Sequence, residues 1–450
     1  MKKKIIYYLL LITTIILLFL SSFSNFTYSS FDVDNVMESI SILSSDTYAG
    51  RLTGSKENSL LEELLRKDFQ NNKLVPLNDG YKESFTVTAP VNNNTTPYLR
   101  ISYDDTYGES LKYGVDFKED MINFKNTEFT FSNEDKVTIH SKYIEVATDK
   151  GNYLFYLAPN NDFSFRSSFV TDFPYNMMIL VTTNAYNKIL NSLKDGAYIS
   201  VNIPFSTEEK QVSNIVGIIE GTSDKLPPLV LTAHFDHLGT DALNNIYSGA
   251  LDNASGTSFL LELQRSLSTY GKPKRDIIFV ALNAEEFGLL GSKSFAENNI
   301  NRLKGAEVIN FDMIGSQDVP LTLMLGKAFE GKESKLLSSI ERIANKNNVE
   351  INITYEDSSD HASFNNLGID SLSFCHSDLS KIHTPNDTYD YISEDAIESA
   401  YSVIEDKIFE SSYSVVTRFF YSDLSIYALS SILVILIILI IKDFFKNKII

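Results

Sequence analysis

Leu229-Val-Leu-Thr-Ala233 followed directly by His234-Phe-Asp-His237 is the stretch that decides the fold. Five consecutive, mostly apolar residues describe a strand covered on both faces, because a strand with one wet face would alternate. The run then changes at once to two histidines and an aspartate, which places polar donors at the strand's carboxyl end. The device recurs twice. Asp276-Ile-Ile-Phe-Val-Ala-Leu282 runs into Asn283-Ala-Glu-Glu286, and Glu307-Val-Ile-Asn-Phe311 runs into Asp312. Ligands of open α/β sheets bind outside the carboxyl ends of the strands. Three strands that end this way predict one shared polar pocket.

Around these strands lie helical patterns at 256–270 and 335–345 and a short strand at 371–374. This alternation predicts an α/β fold with a mostly parallel central sheet flanked by helices. Upstream, 36–43 and 60–71 have apolar residues at helical spacing, separated by the Gly-punctuated loop Tyr48-Ala-Gly-Arg-Leu-Thr-Gly-Ser55. From about 85 to 210 short alternating runs separated by Asn, Asp and Gly predict a β-rich module, closing with a strand at 178–182 and a helix at 186–193. The resulting division is 31–90 and 212–412 for the α/β unit, with 91–211 as an apical insert.

Both terminal segments speak to a membrane. Three lysines within residues 1–4 precede an apolar run at 5–20 and small residues at 21–24, the layout of a secretory signal or of an uncleaved anchor within 1–30. Residues 424–441 carry no charge and are long enough to cross a bilayer. The basic tail 442–450, with Lys442, Lys446 and Lys448, predicts a cytoplasmic end. The segment from 31 to about 421 is then expected outside the cell membrane.

Composition bounds the function classes. The chain has 450 residues, 43% of them apolar and 22% charged, which excludes a largely disordered protein. A net charge of −19 argues against nucleic acid as a partner, since phosphate binding needs a basic footprint. The one cysteine, Cys375, rules out an internal disulfide and a thiolate-rich structural zinc site; in its apolar run it reads as a small core residue.

Two further elements add donors: the Gly-rich turn Gly249-Ala-Leu-Asp252-Asn-Ala-Ser-Gly256 and the loop Lys381-Ile-His383-Thr-Pro-Asn-Asp387. Together the five elements offer His, Asp, Glu, Asp and His, all nitrogen or oxygen ligands suited to Zn²⁺ and tolerable to Co²⁺ or Mn²⁺. Five ligands exceed what one tetrahedral ion with an open position takes, and they fit two ions if one carboxylate bridges. Glu285 and Glu286 are adjacent and point differently. One can ligate while its neighbour moves a proton, as general base and then acid.

Seven blocks in order resemble the family-twenty-eight metallopeptidases, co-catalytic zinc aminopeptidases that include glutamate carboxypeptidase-type enzymes. They are Ala49-Gly-Arg-Leu-Thr-Gly-Ser55, Ala233-His-Phe-Asp-His-Leu-Gly239, 249–256, Glu285-Glu-Phe-Gly-Leu-Leu-Gly291, Asn310-Phe-Asp-Met-Ile-Gly315, Ser359-Asp-His-Ala-Ser-Phe364 and Ile382-His-Thr-Pro-Asn-Asp-Thr388. The resemblance implies a zinc aminopeptidase (phosphorylase/hydrolase-like) fold and two zinc ions. One would be held by His234, Asp252 and Asp312, the other by Asp252, Glu286 and His383. It further implies Glu285 as the acid/base, a hydrogen bond from His234 to Asp236, and a cis peptide after Asp252. Ile382 stands where some members carry a tyrosine, which leaves Tyr355 as the candidate to stabilise the tetrahedral intermediate. The insert occupies the place of a protease-associated module but lacks its usual Gly-Lys signals.

The implied activity is removal of N-terminal residues from peptides by a membrane-tethered exopeptidase. A glutamate carboxypeptidase-like enzyme, a single-zinc glutaminyl cyclase-like enzyme and a non-catalytic receptor on the same fold are the alternatives. No arginine cluster near the motifs offers to grip a substrate carboxylate, which favours the aminopeptidase. Of the remaining residues, His237 reads as a loop or mouth residue, His140 and His376 as surface histidines, and Asp387 as a brace for the His383 loop. His361 reads as pocket wall or structure, and Asp360 as a contact for a substrate ammonium or a helix cap.

Overall fold

A computed structural model describes residues 2–77, 80–104 and 107–446. Met1 and the end of the basic tail, Lys448 included, lie outside the described residues.

The fold is α/β. The decisive strand spans Leu229–His234, and all six residues are buried. Because side chains alternate across a strand, Leu229, Leu231 and Ala233 enter one apolar layer while Val230 enters the other. Ile277–Leu282 splits in the same way, with Ile277, Phe279 and Ala281 on one face and Ile278, Val280 and Leu282 on the other. Helices Val33–Leu43, Gly256–Ser268 and Glu394–Ser412 fill the first layer. Leu290–Asn298 and the short helix His361–Asn365 fill the second.

Strand Leu229–His234 sits between Ile277–Leu282 and Glu307–Phe311, and Glu307–Phe311 pairs with Asp370–His376, all in parallel. Towards the edges the pairing reverses. Leu321–Leu325 runs antiparallel to Asp370–His376, and Phe205–Ile219 runs antiparallel to Ile277–Leu282. The parallel centre therefore sits within a mixed nine-stranded sheet. The central strands deliver His234, Asn283 and Asp312 to one end.

The β-rich part holds a five-stranded and a four-stranded sheet around an aromatic core that includes Phe117, Phe124, Phe129, Tyr153 and Phe155. It joins the α/β part through a long antiparallel ribbon, Lys82–Asn92 against Phe205–Ile219, paired from Lys82↔Ile215 to Asn92↔Phe205. Each ribbon strand continues from one part into the other.

Among the described residues, two helices are long and apolar enough to cross a membrane, at Ile5–Thr27 and Asp423–Phe445. They pack side by side. The Ser21 and Ser425 hydroxyls meet, and Asn25 Nδ2 donates to Phe420 O at 3.0 Å.

Candidate metal centre and peptidase site

The site forms where the central strands end, and a loop far upstream underpins it. Arg51 is fully buried, and its guanidinium donates to the carbonyls of Leu43, Phe235, Ser248 and Gly249 at 2.7–2.9 Å. One cation thus pins the 49–55 loop beneath both the His234 strand end and the Asp252 turn. Gly50 has to be glycine: φ is +71°, and an added Cβ would lie 2.4 Å from Tyr247 O. Gly249, at φ +58°, is as confined, since a Cβ there would meet the His237 ring at 2.5 Å.

Five donors converge about Asp252. His234 Nε2 lies 3.5 Å from Asp252 Oδ1 and 3.4 Å from Asp312 Oδ1. On the other side, His383 Nε2 lies 3.3 Å from Asp252 Oδ2 and 3.4 Å from Glu286 Oε1. Tetrahedral zinc with bonds of about 2.0–2.1 Å needs ligand atoms about 3.3–3.4 Å apart, and these spacings are compatible with that geometry. Asp312 Oδ1 points the same way: it is buried without a hydrogen-bond partner. The donor set therefore fits zinc. The peptide bond after Asp252 is cis.

Glu285 joins His234 and Asp312 with ligand atoms within 4.8 Å of one another, a group that could hold a metal ion. Burial raises its carboxyl well above the usual range, opposed by the nearby His234 and reinforced by Glu286, Asp360 and Asp312. Burial also acts to raise Glu286, but His383 and His237 outweigh it and hold that carboxyl well below the usual range. The two adjacent glutamates are thus driven apart.

Several bracing contacts differ from expectation. Asp236 Oδ1 stands 3.8 Å from His234 Nδ1, too far for a hydrogen bond. Its carboxylate instead accepts from the N–H groups of Glu285 and Glu286 at 3.1 and 3.2 Å and from Thr53 Oγ1 at 2.9 Å. Asp236 therefore fixes the glutamate pair. Asp387 lies in the His383 loop but accepts from Leu251 N and Asp252 N, so it holds the Asp252 turn. Ser359 Oγ donates to Asp312 Oδ2 at 2.6 Å.

Tyr355 does not reach the pocket. It ends strand Ile351–Tyr355, and its ring packs against the main core, while Thr354 and Glu356 on either side line the cavity. His237 is no mouth residue: it is fully buried, with Nδ1 3.0 Å from Glu286 Oε1. His376 is buried too, and its Nδ1 accepts from Gly315 N, which requires a neutral ring; burial pulls its pKa down to about 4. His361 is structural, bonded to Ser373 Oγ and Glu356 O. Asp360 neither lines the cavity nor caps its helix by side chain; burial pushes it up to about 7.

Ser168 goes unannounced by any motif. This residue of the β-rich part lines the same cavity and donates to Glu286 Oε2 at 2.6 Å. No local pattern marks it, because its partner lies in a distant segment. The cavity measures about 570 Å³, and its walls include Met313, Met324, Ile353, Leu379 and Ile382.

Residues 214–407 match peptidase family M28. The matched segment includes all five donors and Glu285. Aminopeptidase YwaD of Bacillus subtilis is 34% identical over 197 residues, 42% of each chain. The chain spans less than half the length of the curated relatives it matches. In fold it is similar to an aminopeptidase from Aneurinibacillus sp. strain AM-1, at TM-score 0.60 and 18% identity over 85% of this chain and 94% of that one. A zinc aminopeptidase from Bacillus subtilis matches at TM-score 0.59 and 18% identity, over 85% and 96%.

Proposed function

We propose that the chain is a membrane-associated exopeptidase with two zinc ions, acting on the N-terminal residues of peptides outside the cell. The observation that carries this reading is Asp252, whose two carboxylate oxygens face separate partner sets, His234 with Asp312 and His383 with Glu286. Zinc, when bound, supplies Lewis acidity for the scissile carbonyl and for the attacking water.

The chain's own groups do the rest. Glu285, held by its backbone N–H on Asp236, takes the water's proton and returns it to the leaving amine. The apolar wall from Met313, Met324, Ile353 and Leu379 receives the side chain next to the cleaved bond and excludes water. No arginine or lysine lines this cavity among the described residues, which supports a free amino end over a carboxylate as the recognised terminus. The two apolar helices support attachment to a bilayer, and the lysines after residue 441 support an outward-facing catalytic body.

The test is an assay of detergent-purified full chain against aminoacyl chromogenic substrates and their N-blocked analogues, with zinc per chain measured in parallel. Cleavage of free aminoacyl substrates alone, with two zinc ions per chain, is the expected result. Cleavage of blocked substrates only would overturn the aminopeptidase assignment.

A further inference from the structure

The two sides of Asp252 are braced from different parts of the molecule. His234 and Asp312 are held within the α/β part: Thr257 Oγ1 donates to His234 O at 2.6 Å, and Ser359 to the Asp312 carboxylate. Glu286 shares the α/β support, through its N–H on Asp236 and through His237 at 3.0 Å, but it and His383 are also held by residues 165–169 of the β-rich part. Phe165 stacks on the His383 ring with centroids 5.6 Å apart, and Arg166 N donates to His383 O at 3.0 Å. Ser168 Oγ binds the Glu286 carboxylate, Phe169 N donates to Glu286 O at 2.9 Å, and the Phe169 ring packs on Phe287.

This loop is itself anchored. Ser167 donates through both N–H and Oγ to Asp120, at 2.8 and 2.7 Å. Asn123 Nδ2 donates to Val170 O at 2.6 Å, and the buried Arg166 pairs with the buried Glu119 at 3.2 Å. Asp120, Asn123 and Glu119 all belong to strand Phe117–Phe124. That strand is part of the five-stranded sheet, so the loop's position is set by the β-rich core.

We propose that Ser168 is a positioning residue through which the β-rich part sets how tightly the Glu286–His383 side holds its cation, independently of the His234–Asp312 side. The proposal rests on the two-cation reading above. Glu286 would ligate through Oε1, the oxygen that faces His383, while Ser168 fixes Oε2 and so the rotation of the carboxylate. Partners of this kind typically change metal affinity by about 10- to 100-fold.

The experiment equilibrates the full chain in detergent with a graded series of free-zinc buffers and measures bound zinc per chain by elemental analysis. Wild type takes two. Ser168→Ala should keep one ion at wild-type affinity and bind the other about 10- to 100-fold more weakly. Ser168→Thr, which keeps the hydroxyl, should recover most of that loss. Equal weakening of both ions, no change in either, or failure of threonine to recover binding would overturn the proposal. A wild-type chain that never exceeds one zinc would instead overturn the two-cation reading, which separates the two failures.

Discussion

The α/β part and the β-rich part deliver functional groups in opposite ways. In the first, the last residue of a buried strand or the one to four residues after it are the functional ones, as with His234, Glu285, Glu286 and Asp312. In the second, an irregular loop carries Phe165, Arg166 and Ser168 to the site, and a strand some forty-five residues upstream dictates where that loop lies. The difference teaches that chemistry at a strand end travels with its own fold signal, whereas chemistry on a docked loop is specified by distant partners.

Experiments can press on each side of that contrast. The largest effect is expected from Glu285→Gln, which keeps the shape and removes the proton acceptor. Turnover should fall about 10²–10⁴-fold with zinc content unchanged. Loss of zinc instead would exchange the roles of Glu285 and Glu286. Next comes the support beneath the strand ends. Arg51→Ala leaves buried carbonyls without donors and should lower stability by on the order of 3–5 kcal/mol, measured by denaturant unfolding.

His376 gives a pH test of the same region. Its folded pKa, about 4, lies below the unfolded value of about 6.5, so the unfolded chain binds the extra proton. Its contribution is complete above pH 6.5 and is lost as pH falls toward 4, up to about 3 kcal/mol. A His376→Gln variant should show a flatter stability profile across that window. In the β-rich part, Asp120→Asn weakens the anchor of Ser167 and should cost about 1–2 kcal/mol while loosening the loop, visible as faster amide exchange at 165–170. The smallest effect is expected from Tyr355→Phe, with activity within about twofold, since a side chain that touches no reacting group contributes little to the barrier.

Much of the α/β part was legible because its strands are buried on both faces and so read as unbroken apolar runs. The helices seen at Val33–Leu43 and Lys56–Asn71 follow the apolar spacing of 36–43 and 60–71. Strands Leu321–Leu325 and Ile351–Tyr355 went unread, and with them the wall they form, because the polar Thr322 and Asn352 interrupt their apolar pattern. Tyr355 was misplaced because spacing along the chain sets a residue's distance from a motif but not whether its side chain reaches the cavity, as Ile353 does, or the main core. The sequence places His237 in a loop or mouth and His376 on the surface because burial of a lone histidine depends on partners, Glu286 and Gly315, that no local pattern announces.

The paired apolar helices carry one more consequence. Residues 28–32 are all that separate Ile5–Thr27 from Val33–Leu43, and the last helix begins at Asp423, just after Val415–Phe420. Under the membrane attachment proposed above, with both helices retained, the body would be moored by two short stems, and shedding it would take a cut at each stem. In that arrangement the stems would leave little slack and would limit how far the body can move from the lipid.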